Sequence, residues 1–191
     1  MNLILASASP RRRELLELFH IPFTVRAADI DETMNSNAAP YDEVARVSRL
    51  KALACPHGEQ DVIIAADTIV VCQGTVLGKP RSEEEAVALL TLLSGRDHQV
   101  MTGMTVLRGD VCRTVTEVTD IHFRPLSQKE IRAYVATGEP MDKAGAYGIQ
   151  GGAALFCSHM VGDYYNVMGL PVCRLGQILR ETVPELMGEF L

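Results

Sequence analysis

Residues Leu3–Leu16 read "LILASASPRRRELL", and their reading decides the fold. A short apolar run ends in small polar residues, then an apolar-periodic segment begins. That is a strand, a tight turn and the start of a helix, the opening move of an α/β chain. Ser9 suits an N-cap and Pro10 the first helical position. Arg11, Arg12 and Arg13 then stand where the helix dipole is positive and cations are least stable. A helix start of this kind makes physical sense when an anion binds there, because backbone amides and guanidinium groups then converge on it.

The same alternation continues along the chain. Strands are expected at Leu3–Ala6, Phe23–Ala27, Val62–Ala66, Thr68–Cys72, Val100–Arg108, Val111–Phe123 and Ala154–His159. Helices are expected at Pro10–Phe19, Tyr41–Cys55, Glu83–Leu93, Gln128–Thr137 and Pro171–Glu181. Ser82 with Glu85, and Ser127 with Glu130, fit capping boxes. Gln73-Gly74 and Gly109-Asp110 fit hairpin turns. The pattern predicts an α/β fold with a mixed sheet and flanking helices, formed by a single domain over residues 1–191.

Composition narrows the function. With 191 residues, 47% of them hydrophobic, the chain has enough apolar surface for a core. A net charge of −6 and 5% aromatics speak against a nucleic-acid-binding module. Anion binding must therefore come from a local cationic cluster. The five cysteines are scattered, with no CxxC pair and no spacing for zinc, as expected of free thiols in a reducing cytoplasm. No apolar run approaches the ~20 residues of a membrane span. A soluble, cytoplasmic protein without a signal peptide is the expectation.

Chemistry-bearing residues are few. In "VIIAADTIVVC" (62–72), Asp67 interrupts an apolar run. Its carboxylate is either a turn residue between two strands or a metal ligand or general base facing a cavity. Thr68 beside it offers a hydroxyl. Lys79 lies between Gly78 and Pro80, on a rigid turn. Lys51 borders the apolar stripe of its helix, where it either snorkels or faces a site. Arg46 and Arg49 read as solvated. Asp29 to Ala39 form an acidic loop containing Asp31 and Glu32, and Gly138 to Gly152 form a glycine-rich one. Cations, carboxylates and glycine turns together suit a phosphate-bearing substrate and a hard divalent metal.

Taken in order, "LASASPRRRELL" (5–16), "AADTIV" (65–70), "GKPRS" (78–82), "LSGRDHQVMTG" (93–103), "DKAGAYGIQG" (142–151) and "GLPV" (169–172) resemble the Maf family of nucleoside triphosphate pyrophosphatases. The resemblance implies an elongated fold with two lobes around a deep cleft, similar to inosine triphosphate pyrophosphatases. It implies metal-assisted hydrolysis of a nucleoside triphosphate to the monophosphate and pyrophosphate, by a homodimer using Mg²⁺ or Mn²⁺. It assigns Ser7, Arg11 and Arg12 to the phosphate-binding turn, Lys51 and Lys79 to charge neutralisation, and Asp67 to proton acceptance. Asp67 and Glu32 are its implied metal ligands.

The stretch "AYGIQG" resembles the dTTP/UTP-hydrolysing branch, with modified pyrimidine nucleotides also within reach. There Gln150 would pair with the O4/N3 edge of the base, and Arg11 and Thr68 would share in base preference. Arg13 lies outside the motif and is expected to be solvated. The alternatives are another nucleotide preference, 7-methyl-GTP or CTP, or a nucleotide-binding regulator of cell division with little turnover.

Overall fold

Val62–Cys72 is one unbroken strand, β3, with Asp67 inside it. The two-strand reading of this segment was wrong, and no turn separates Ala66 from Thr68. The residues on either side of Asp67 are mostly β-branched or small and suit a strand buried on both faces. The computed structural model describes residues 1–35 and 37–188. Ser36 in the acidic loop and residues 189–191 at the end of the expected domain lie outside the described residues.

Around β3, the strands are β1 (Leu3–Leu5), β2 (Phe23–Val25), β4 (Thr75–Leu77), β5 (Asp97–Arg108), β6 (Val111–Phe123) and β7 (Cys157–Val161). The helices are α1 (Pro10–Glu17), α2 (Pro40–Ala54), α3 (Glu83–Leu93), α4 (Gln128–Val135), α5 (Tyr164–Met168) and α6 (Val172–Thr182). Among the described residues the strands form a seven-stranded sheet in the order β2-β1-β3-β5-β6-β7, with β4 paired to β3. β1 runs parallel to both β2 and β3, with Leu3 opposite Phe23 and Val62. β4 is antiparallel to β3, and β7 to β6. The mixed α/β sheet is therefore as expected.

Sequence signals placed most element ends within a few residues. Ser127 and Glu130 make a full capping box at α4. At α3, Ser82 accepts from the Glu85 amide, but Glu85 reaches back to the Arg81 amide. Ser9 occupies the N-cap of α1 and Pro10 its first position, as expected, but the serine makes no side-chain cap bond. Some segments differ, among them the short strand β4, which the expected strands did not include. Gly152–Leu155 is a 3₁₀ turn rather than the start of β7, and α5 was not expected. A five-residue helix is too short to show periodicity. It is tied down by buried Asn166, whose Nδ2 donates to the Val100 carbonyl at 3.0 Å and to Thr119 Oγ1 at 2.9 Å. All five cysteines are free thiols. Among the described residues no helix is long and apolar enough to cross a membrane.

The chain divides into two compact units, each discontinuous in sequence. The first comprises Met1–Asp67, Thr102–Glu117 and Gly169–Leu191. Its β1, β3 and β5 bury Ile4, Ala6, Ile63, Ala65 and Leu107 with Ala52 and Cys55 at the end of α2. A glycine lets α2 come close. At Gly103 a Cβ would overlap the Val44 carbonyl, so β5 and α2 meet backbone to backbone there. The second unit comprises Thr68–Met101 and Val118–Met168. α3 and α4 cover its part of the sheet, and Leu90, Leu93, Phe123, Ile131 and Phe156 lie in its core.

Candidate active site

In the first unit, α2 and β3 bring Lys51 to Asp67. The odd-numbered residues Ile63 and Ala65 face the cluster containing Ala52 of α2. Two residues on, by the period of a strand, Asp67 points the same way. Lys51 is 8% exposed and Asp67 9%, so both charges are largely withdrawn from water. Such groups must pair. Lys51 Nζ donates to Asp67 Oδ1 at 2.8 Å and lies 2.9 Å from Glu32 Oε1. The lysine head is thus ion-paired with both carboxylates rather than snorkelling to water.

The β1–α1 turn adds cations. Arg12 Nη1 donates to Ser7 Oγ at 3.1 Å, and Arg12 Nε to the Gly169 carbonyl at 2.9 Å. Burial holds the Arg12 guanidinium below its ordinary pKa, with Arg11 acting in the same direction. Asp67 and Glu32 oppose that shift, which puts these charges within electrostatic reach of one another. Lys51 and Arg12 lie within reach of two carboxylates, and Arg11 is near enough to Arg12 to act on its charge. That balance suits a polyanion. Arg13 stands apart as expected, exposed and paired with Glu17 at 3.1 Å.

Among the described residues of the acidic loop, Glu32 pairs with the lysine. The Asp31 carboxylate accepts from the Thr33 amide at 2.9 Å, a local turn. Arg46, expected to be solvated, instead helps to strap this loop. It donates to Glu43 from Nε at 2.9 Å and Nη2 at 2.8 Å, and to the Thr33 carbonyl at 2.9 Å. Glu43, buried, also accepts from the Asn35 amide at 2.7 Å. Its carboxyl is held below the usual range, first by Arg46 and then by Asn35. Sequence reasoning missed this pair, and its i,i+3 spacing on a helix was the available signal.

Thr68, Lys79 and Gln150 belong to the second unit. Thr68 follows Asp67 on β3 and is half-buried. Lys79 is exposed after β4, and the preceding Gly78 carbonyl accepts from the Gly145 amide at 3.0 Å. Gln150 is exposed in a turn closed by the Gly151 amide on the Gly148 carbonyl at 3.1 Å.

Among the described residues no group of three or more His, Cys, Asp or Glu is placed to hold a metal. Glu32 and Asp67, converging on one ammonium, offer the one or two carboxylates that Mg²⁺ takes when water and substrate oxygens complete its shell. The donor set therefore fits a hard divalent ion.

The fold is shared with known proteins. A HAM1 protein from Coxiella burnetii matches over 95% of this chain and 99% of its own, with a TM-score of 0.52 and 15% identity. Fold and site together define a mixed α/β protein that carries a cationic cluster beside two carboxylates. More particularly, a family model described as Maf-like protein matches residues 2–182, and the chain belongs to the Maf family. It is 49% identical over 174 residues to a dTTP/UTP pyrophosphatase of Geobacillus sp. (strain WCH70), covering 91% of this chain and 94% of that protein. A dTTP/UTP pyrophosphatase of Alkaliphilus metalliredigens (strain QYMF) is 47% identical over 184 residues, 94% of this chain and 95% of the other.

Proposed function

We propose that the protein hydrolyses dTTP and UTP, with modified pyrimidine nucleotides, to the nucleoside monophosphate and pyrophosphate. The observation that carries the reading is the Lys51 ammonium held between Asp67 and Glu32, with Arg12 within electrostatic reach. The relatives named above support it. Water attacks the α-phosphorus, the bond from that phosphorus to the bridging oxygen breaks, and pyrophosphate leaves. Asp67 accepts the proton of the attacking water. Arg11, Arg12 and Lys51 neutralise charge on the phosphates as it shifts toward the leaving group. Ser7 keeps Arg12 in place. For Lys79 as a further phosphate cation, and for Thr68 and Gln150 in base preference, the support is the sequence match.

Glu32 and Asp67 would hold Mg²⁺ or Mn²⁺, which supplies charge neutralisation at the triphosphate when bound. The single catalytic domain and the homodimer belong to the same proposal and rest on the resemblance, and the cytoplasmic setting rests on the scattered free cysteines.

Pyrophosphate release from dTTP, UTP, CTP and 7-methyl-GTP tests the substrate class, with turnover expected on the first two. Preference for 7-methyl-GTP, or no turnover on any of them, refutes it. Asp67→Asn tests the base and should lower kcat at least a hundredfold. Near-normal turnover by this variant would assign the proton elsewhere.

A further inference from the structure

The Gln150 turn is held at both ends by groups that the proposed chemistry leaves unused. Tyr134 on α4 is 6% exposed, and its ring packs edge-on against Phe156 at 5.1 Å between centroids. That contact fixes where its hydroxyl lies. The hydroxyl accepts from the Gly148 amide at 3.1 Å and donates to Glu139 Oε1 at 2.9 Å. Glu139 Oε2 accepts from the Gly152 amide at 3.0 Å. One hydrogen-bonded chain therefore runs from the first residue of the turn to the residue just past its last.

The glycines fit this clamp. The Glu139 carboxylate fills the space that a Cβ at Gly151 would occupy. A Cβ at Gly148 would stand 2.8 Å from Lys143 Cε, and Lys143 Nζ itself donates to the Glu139 carbonyl at 2.6 Å. Ile149 is 7% exposed and anchors the turn, which leaves Gln150 as its exposed central residue. Burial, and then Glu139, push the Tyr134 phenol well above its ordinary pKa, so it stays a protonated donor.

We propose that Tyr134 and Glu139 are positioning residues for base discrimination, locking the Gly148–Gly152 turn so that the Gln150 amide meets the base in one register. The proposal rests on the reading of Gln150 given above. Its physical reason lies in the amide. Uracil and thymine present an acceptor at O4 and a donor at N3, whereas cytosine presents the reverse. A glutamine on a loose turn can shift and rotate to satisfy either edge. A glutamine on a pinned turn loses binding energy when the edge is wrong.

Tyr134→Phe removes the bridging hydroxyl and keeps the ring. Glu139→Gln, at a half-exposed position, sets an amide N–H against one of the two donors. Gln150→Ala is the reference. Each is assayed for kcat and KM on dTTP, UTP and CTP, with a thermal melt to confirm folding. In Tyr134→Phe and Glu139→Gln, the dTTP-to-CTP ratio of kcat/KM should fall about tenfold. The change should sit in the KM values, which fall for CTP as the loosened amide satisfies its edge and rise for dTTP as the register is lost, with kcat on dTTP within about twofold of wild type. Added to Gln150→Ala, either change should lower the ratio no further.

A folded Tyr134→Phe and Glu139→Gln with the wild-type ratio overturn the clamp, as does an equal loss of kcat on all three nucleotides. If Gln150→Ala itself keeps the wild-type ratio, the reading of Gln150 has failed, and the positioning role falls with it. A changed ratio in Gln150→Ala with none in the other two removes the clamp alone.

Discussion

Replacing Lys51 by methionine is the sharpest test of the site, because the structure says what is left behind. Methionine keeps most of the apolar stem and removes the ammonium. Asp67, whose side chain is 12% exposed, then loses the cation 2.8 Å away. Breaking a buried pair by removing one partner costs about 3–5 kcal/mol. Glu32 contributes little of this, since its side chain is 58% exposed and exposed pairs contribute at most about 1 kcal/mol. The expected loss of stability is therefore about 3 kcal/mol.

Urea unfolding in chelator, compared with wild type, measures it. Asp67→Asn in the same background supplies the second arm of a cycle. Once the carboxylate is neutral, the Lys51→Met change should cost at least about 1 kcal/mol less. Pyrophosphate release should fall at least about a hundredfold in Lys51→Met, as for other groups that stabilise developing charge. A stability loss under about 1 kcal/mol that is additive with Asp67→Asn would refute the reasoning. The pair would then be a surface contact and not a buried one.

Other predictions follow from the same geometry. Arg11→Ala and Arg12→Ala should each lower kcat/KM at least tenfold, whereas Arg13→Ala, whose exposed partner is Glu17, should stay within about twofold; equal effects from all three would mean that the turn is misread. Gly103→Ala drives a Cβ into the Val44 carbonyl and should cost about 1–3 kcal/mol in urea unfolding while displacing α2 and lowering turnover. His98, 3% exposed and 2.8 Å from the Tyr147 hydroxyl, has its pKa lowered by burial from 6.5 to about 4. The unfolded chain therefore binds the extra proton between those values, and stability should fall by up to about 3 kcal/mol as pH drops from 6.5 to 4. His98→Gln should flatten that part of the curve, and an unchanged pH profile would show that His98 is not its source.

Much of this protein is legible along the chain because its signals are local. A capping serine and its glutamate lie three residues apart, and a helix stripe repeats within one or two turns. Those signals located α3 and α4 and most strand ends, and the motif order named the family. They failed where an element is too short to show a period, as at α5, or where an apolar run carries an interrupting charge, as at Asp67.

What the linear chain could not decide is which charges meet. Residue spacing proposed Lys51, Asp67 and Glu32 separately and left Lys51 open between snorkelling and service; only the family resemblance grouped them. Only the packing of α2 on the sheet, so close at β5 that Gly103 tolerates no Cβ, sets the ammonium between Asp67 of β3 and Glu32. Likewise Arg46 reads as a solvated helix arginine until the acidic loop folds back over it, and Glu139 as one acid among glycines until the turn closes around its carboxylate. Periodicity records which face of an element is buried. The partner of a buried charge is chosen in three dimensions, by residues many positions away, because desolvation penalises every arrangement in which the charge is left alone.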